Sequence, residues 1–283
     1  MAERETWTVQ KVLTWTKGYL DEKGVENARL ETEWLLCAVT GLDRVGLYIN
    51  YEKPLTDAEL AAYRAMVARR AKREPLQYIL GSQEFCGLDF EVTPAVLIPR
   101  HDTEVLVEEA VKRAPGAKSL LDIGVGSGCI AVALAKALPL AEIYGVETSP
   151  AALALAQRNA ERHSARITFF EGSLFEPFKE QRFDLIVSNP PYIPTADLET
   201  VQPEVRDFEP IAALDGGKDG LDFYRAIVPE AVDHLTPGGL LLVEVGIGQA
   251  EPVSELFCRA GFKGLFSSKD PAGVERVVGG CLS

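Results

Sequence analysis

The sequence is sparing with the residues that build metal sites and covalent frameworks. Its three histidines (His101, His163, His234) and five cysteines (Cys37, Cys86, Cys129, Cys258, Cys281) stand singly, with no CxxC or HxxxH spacing, which argues against zinc. Lone cysteines of this kind read as small buried thiols of a reducing compartment rather than as nucleophiles or disulfide partners. No apolar run approaches the ~18 residues that a bilayer span requires, so no membrane partner is expected. The opening MAERETWTVQ is charged and has no apolar core of a signal peptide, so a cytoplasmic location is expected. Positive charge is scarce too: 29 Lys+Arg stand against 42 Asp+Glu, a net −13 at pH 7. That balance disfavours nucleic acid as the main substrate, because binding to a phosphate backbone depends on cationic neutralisation.

What is present is an ordinary globular composition, 47% hydrophobic and 25% charged over 283 residues, long enough for one large domain or two modest ones. Residues 1–85 hold 12 basic and 13 acidic residues, while 86–283 hold 17 and 29, so two differently built parts are expected. In residues 1–80, Val9, Val12, Leu13, Thr16 and Leu20, then Leu30, Trp34, Leu35 and Ala38, recur at helical spacing, with Gly24 and Gly41 where those helices would stop. Thr56-Asp57-Ala58-Glu59 has the form of a capping box opening a third helix through Leu60, Tyr63 and Val67. The basic segment Arg64, Arg69, Arg70, Lys72 and Arg73 reads as a solvated helix end, which suits the macrodipole, in preference to a docking patch. Residues 81–98 read as a β-hairpin linker around Gly87, and 99–283 as a second domain.

Beyond Pro99, strand alternates with helix: Ser119–Ile123 apolar, Ile130–Leu138 helical, Glu142–Val146 apolar, Ala151–Arg162 helical, Phe183–Ser188 apolar. Leu240–Val245 follows as a strand after a Pro237-Gly238-Gly239 turn. This is the signature of βαβ units on a parallel sheet. The first strand runs into Gly124-Val125-Gly126-Ser127-Gly128-Cys129, a glycine loop opening a helix, where missing side chains let a ligand approach the backbone. A dinucleotide fingerprint would need glycine at 129, which is cysteine. Nineteen residues past Gly128, Glu147 ends the next strand, where a carboxylate can accept both ribose hydroxyls. The pairing resembles motif I of the Rossmann-like S-adenosylmethionine (AdoMet) methyltransferases.

A second motif, Asn189-Pro190-Pro191-Tyr192, sits at the carboxyl end of the fourth strand, where open α/β sheets bind ligands. The prolines stiffen the turn and bring no amide to pair with its carbonyls. The Asn189 carboxamide oxygen and the Pro190 carbonyl can then accept both hydrogens of an sp² amino group, with the Tyr192 ring stacked on its plane. Such a site suits an amide or exocyclic amine nitrogen, oriented for in-line methyl transfer without a strong base.

With both motifs placed, the chain resembles the peptide chain release factor glutamine methyltransferase family over nearly its whole length. The match includes Glu74-Pro75-Leu76-Gln77-Tyr78-Ile79-Leu80-Gly81, Ile98-Pro99-Arg100 with Asp102-Thr103-Glu104, Glu209-Pro210, Gly217 with Asp219-Gly220-Leu221, Glu244-Val245-Gly246 with Gln249, and Asp270 to Gly273 with Arg276-Val277-Val278. The resemblance implies a seven-stranded class I methyltransferase domain behind a small helical, substrate-docking domain. It implies methylation of the side-chain amide nitrogen of the glutamine in the release factor Gly-Gly-Gln motif, with S-adenosylhomocysteine as product. By the same resemblance Gly124, Val125, Gly126, Ser127, Gly128, Glu147 and Asn189 would hold AdoMet, Leu174 would lie against its adenine, and Asn189, Pro190, Pro191 and Tyr192 would hold the glutamine. A monomer and no metal are expected.

The sequence departs from that family's usual pattern at Glu147, where aspartate is usual, at Ser173, where aspartate is frequent, and at His101, where proline is frequent. His101 reads as a tolerated loop residue. Arg100 with Asp102-Thr103-Glu104 reads either as a border of the cofactor pocket or as a helix cap. Rival readings are glutamine methylation of a ribosomal protein, N6-adenine-type amino methylation of nucleic acid, and a non-catalytic AdoMet sensor.

Overall fold

The computed structural model describes residues 6–283; residues 1–5, half of the charged opening segment read above, lie outside the described residues. The helices and strands follow in the order α1 (Val9–Glu22), α2 (Ala28–Thr40), α3 (Arg44–Ile49), α4 (Asp57–Arg70), α5 (Leu76–Leu80), β1 (Ser82–Phe85) and β2 (Leu88–Glu91). Next come α6 (Glu104–Arg113), β3 (Ser119–Ile123), α7 (Cys129–Ala137), β4 (Glu142–Glu147), α8 (Pro150–Arg162), β5 (Ile167–Glu171) and β6 (Phe183–Ser188). The chain closes with α9 (Pro203–Phe208), α10 (Asp222–His234), β7 (Leu235–Glu244), α11 (Ala250–Arg259), β8 (Lys263–Lys269) and β9 (Glu275–Cys281). It divides into two units, one of residues up to 81 with 202–208, the other of residues 82–201 with 209–283.

The first unit is all helical. Thr56 and Glu59 form the reciprocal capping box at the start of α4, Glu59 Oε2 accepting the Thr56 amide at 2.7 Å. The face of α1 turned inward, Val9, Val12, Thr16 and Leu20, is the one its spacing predicts. Helix α2 differs: of the residues expected inside, Leu35 is buried but Leu30, Trp34 and Ala38 are exposed, and Ala28, Thr32, Glu33 and Leu36 are buried with Leu35. The reason is Glu33, whose carboxylate is held by Arg29 at 3.2 Å, Arg44 at 2.6 Å and Tyr48 at 2.5 Å. A paired carboxylate can enter an apolar core where a lone one cannot. The basic segment is a solvated helix end only in part, with Arg64, Arg69 and Lys72 exposed. Arg70 is 4% exposed, paired with Glu31 and with Glu204 of α9 at 2.9 Å, while Arg73 reaches the other oxygen of Glu204 at 2.8 Å.

In the second unit β1 and β2 pair antiparallel across a two-residue turn, Cys86-Gly87, both residues having positive φ. That geometry matches the twist of the flanking strands. The main sheet has the order β5-β4-β3-β6-β7-β9-β8. Neighbours from β5 to β7 are parallel, and β9 pairs antiparallel with β7 and β8, so the sheet expected to be parallel is mixed at one edge. Alternate strand residues feed two cores. Leu120, Leu185, Val187 and Leu242 meet α6, α7 and the hairpin's Phe85 and Phe90, while Leu121, Ile186, Leu241 and Val243 meet α10 and α11. Pro237-Gly238-Gly239, read as a turn before a strand, lies within β7 as an irregularity: Phe183 pairs with Leu235, and Leu185 already with Leu240. Pro237 has no N–H to give the ladder, so extra residues bulge out there.

The thiols are less buried than the sequence suggests, since Cys129 is buried, Cys37, Cys86 and Cys281 are half-buried, and Cys258 is exposed. Burial pushes the Cys86 and Cys129 thiols up to about 12, so both stay protonated near neutrality.

Candidate active site

Strand order reverses between β4 and β6 on either side of β3, and the crevice outside the carboxyl ends of such strands is where this architecture takes ligands. Gly124, Gly126 and Gly128 have φ of 76°, 55° and 82°, a left-handed conformation repeated three times in five residues, which L side chains rarely adopt. A side chain at 128 would also come within 3.2 Å of Ala156, so glycine lets the start of α7 pack on α8. The Gly124 amide donates to the Val146 carbonyl at 2.9 Å. Glu147 then accepts the Gly126 amide on one oxygen and the Ser149 amide on the other, each at 2.9 Å. Loop and acid are thus one hydrogen-bonded unit.

Across the crevice, β6 ends in Ser188, whose hydroxyl donates to the Ile123 carbonyl at 2.8 Å, and the chain turns through Asn189 to Tyr192. The Asn189 amide nitrogen donates to the Thr103 hydroxyl at 3.2 Å, leaving its Oδ1 as the acceptor end. Beyond the turn, Ile193 donates to the Leu214 carbonyl at 3.0 Å and accepts from Gly216 at 2.8 Å, which anchors the motif on the 214–217 segment.

A cavity of about 250 Å³ joins the two halves, lined by the loop from Gly124 to Ser127, Glu147, Leu174 and the turn from Asn189 to Pro191. Gly128 and Tyr192 are not in its lining: Gly128 packs on Ala156, and the Tyr192 hydroxyl reaches Glu244 at 3.4 Å. Leu174 has a left-handed backbone at φ 49°. Arg100 and Thr103 line the cavity, Arg100 paired with the buried Glu209, whereas the exposed His101 does not. Thr103 makes no side-chain cap bond to α6, so the border reading of this segment is the one its geometry matches.

Thr103 lines the cavity, while Asp122, Glu244 and Gln249 stand outside its lining; of the four, only Asp122 lies outside the segments quoted for the family resemblance. Asp122 is fully buried, with neither oxygen in a close hydrogen bond among the described residues. Burial pushes its carboxyl up to about 7, the Ala131 amide at the start of α7 pulling against it and Glu147 adding to it. Burial likewise pushes Glu244 up to about 7, against the downward pull of Thr103 and Arg276. The available signal was one acid in each of two otherwise apolar strands, Ser-Leu-Leu-Asp-Ile and Leu-Leu-Val-Glu-Val.

Residues 101–203 match the family profile described as the methyltransferase small domain, and residues 11–81 that of the PrmC N-terminal domain. A crystal structure of a methyltransferase from Pyrococcus furiosus shares the fold, with a TM-score of 0.53 at 22% identity over 70% of this chain and 90% of that one. The mostly parallel seven-stranded sheet, with its glycine loop and Asn-Pro-Pro-Tyr turn at the carboxyl ends of two central strands, is thus a class I methyltransferase domain. The release factor glutamine methyltransferase of Geobacter sulfurreducens is 74% identical over 276 residues, 98% of this chain and 97% of that protein. That of Moorella thermoacetica is 47% identical over 82% and 83% respectively. The chain belongs to the release factor glutamine methyltransferase family.

Proposed function

We propose that the protein transfers a methyl group from AdoMet to the side-chain amide nitrogen of the glutamine in the Gly-Gly-Gln motif of peptide chain release factors, acting as a cytoplasmic monomer. The observation that carries this reading is the single cavity shared by the glycine loop, Glu147 and the acceptor end of Asn189. The residues present fit the cofactor. Asp122 is a buried acceptor lacking a close donor just before the loop, the Gly126 amide and Glu147 suit a ribose and the methionine part, and Leu174 offers an apolar surface to an adenine.

When bound, AdoMet supplies an electrophilic methyl on sulfur. The protein's part is orientation. Asn189 Oδ1 and the Pro190 carbonyl accept the two amide hydrogens, the Pro191 ring keeps the turn rigid, and Tyr192, outside the cavity lining, fixes the end of the turn through its hydroxyl on Glu244. Both oxygens favour the positive charge that grows on nitrogen as the new C–N bond forms and the C–S bond breaks. The nitrogen then releases one proton to solvent. The helical unit, with Trp15 and Trp34 exposed on it, is assigned to docking the release factor.

Tritiated-methyl transfer from AdoMet to purified release factor, run beside a factor with that glutamine replaced and beside bulk nucleic acid, tests the reading. Label on the wild-type factor alone supports it. Label on nucleic acid alone would assign the turn to a base amine and overturn it.

A further inference from the structure

Asn189 is held from behind. Its Nδ2 donates to Thr103 Oγ1, a side chain 2% exposed that stands at the start of α6 yet caps none of its amides. The Thr103 hydroxyl neighbours the carboxylate of Glu244 at the end of β7, which is 1% exposed, though no close hydrogen bond joins the two among the described residues. Glu244 Oε1 receives the Tyr192 hydroxyl at 3.4 Å, while Oε2 makes no close hydrogen bond among the described residues. One buried carboxylate therefore backs both polar side chains of the Asn-Pro-Pro-Tyr turn, Tyr192 directly and Asn189 through Thr103.

We propose that Thr103 and Glu244 are positioning residues that set the carboxamide of Asn189 so that Oδ1, and not Nδ2, meets the substrate amide. The inference rests on the reading of Asn189 as an amide acceptor. A carboxamide turned by half a rotation has almost the same shape but offers two donors where an acceptor is needed. An ionised carboxylate accepts only, so Thr103 aims its proton at Glu244, its oxygen must accept, and Nδ2 is the group drawn to it. In the turned carboxamide, Oδ1 would face the lone pairs of Thr103 and Nδ2 would face the hydrogens of the substrate.

Protonation of Glu244 breaks this chain. A carboxylic acid can donate to Thr103, whose hydroxyl is then free to donate to Oδ1 and hold the unproductive orientation. Glu244 is surrounded by Tyr192, the Thr103 hydroxyl, Arg276 and Asp102, with Tyr224 donating to its backbone carbonyl at 2.8 Å. Arg276 is shared with Asp102 at 2.6 Å and Asp270 at 2.8 Å, so its charge is not Glu244's alone. Burial outweighs these attractions and brings the carboxyl up to about 7.

The test compares wild type, Thr103→Val, Thr103→Ser and Glu244→Gln in methyl transfer to release factor across a pH series, with AdoMet affinity measured by calorimetry on each full-length protein. Thr103→Val should lower kcat about 30-fold or more, with Thr103→Ser restored to within about threefold of wild type, because only the hydroxyl is needed. AdoMet binding that remains measurable in every variant shows that each one folds, and kcat at saturating AdoMet separates the positioning effect from any change in cofactor affinity. Wild-type kcat should fall as pH drops through about 7, whereas Glu244→Gln should be slow and flat over that range. Wild-type rates in Thr103→Val, equal losses in the valine and serine variants, or an unchanged pH profile in Glu244→Gln would overturn the positioning role. No label with wild type would overturn the functional reading itself.

Discussion

Gln249 donates its side-chain amide to the Tyr192 carbonyl at 2.9 Å, so the residue that opens α11 holds the last residue of the turn carrying Asn189. The same amide reaches the Gly220 carbonyl at 3.3 Å, and its oxygen accepts the Gly246 amide at 3.0 Å. Three loops meet on one carboxamide.

Replacing Gln249 with alanine leaves those backbone groups unpaired in a half-buried place, at a cost of about 1–3 kcal/mol in stability. Urea unfolding should show the loss. Methyl transfer should fall through kcat rather than through AdoMet affinity, because Gln249 contacts the turn and not the glycine loop.

Asn189→Ala removes the acceptor itself, and kcat/KM for release factor should drop by about 2–4 kcal/mol, the scale of one preorganised polar contact. Steady-state kinetics beside an AdoMet titration separate this from a binding defect. Turnover like that of wild type would place the amide elsewhere.

Asp122 makes stability depend on pH with a defined sign. Its carboxyl ionises near 4 in the unfolded chain and only at about 7 in the fold. Native structure holds the proton more tightly, so this group stabilises the apoprotein fully below the unfolded value and loses that contribution as pH rises towards 7. Thermal melts of wild type and Asp122→Asn should therefore converge below about pH 4 and separate progressively as pH rises to about 7, the variant being the more stable without ligand. If Asp122 takes part in receiving the cofactor, calorimetry should also show the same variant binding AdoMet more weakly.

Arg70→Met leaves Glu31 without its arginine beside an apolar side chain and leaves Glu204 to Arg73 alone. Breaking a buried pair from one side costs about 3–5 kcal/mol, and chemical denaturation should report a loss of that size. Substituting Arg69, which is paired with Glu74 nearer the surface, should cost at most about 1 kcal/mol.

Trp34 is 45% exposed on the helical unit. If that unit docks the release factor, Trp34→Ala should raise KM for the intact factor about tenfold, in keeping with the weight of aromatic anchors at interfaces, and leave AdoMet affinity unchanged. An unaltered KM would take Trp34 out of the docking surface.

The elements that could be read from the chain are those whose cause is local. The Thr56 to Glu59 capping box, the hairpin around Gly87, the glycine loop and the Asn-Pro-Pro-Tyr turn each depend on residues within a few positions of one another. Helix α2 shows where this stops, for Trp34 and Leu30 fit an inward stripe as well as Leu35 does, and only Glu33 with Arg29, Arg44 and Tyr48 decides which face turns in. Strand β5 (Ile167–Glu171) has no run of buried residues, being an edge strand, and gave no signal of its own.

By itself, the sequence determined the alternation of strand and helix and the residue types gathered in two motifs: a glycine loop with an acid after it, and a rigid Asn-Pro-Pro-Tyr turn. These are short-range choices of backbone conformation and donor inventory. It did not show that residues 202–208 join the helical unit or that the hairpin belongs with the second. Only the tertiary structure decided that Thr103, 86 positions before Asn189, lies against its amide, that Glu244 stands behind both, and that Arg70 and Arg73 close on Glu204. Burial is what makes those pairings necessary, because a charge or a polar group removed from water must find its partner wherever the fold brings one.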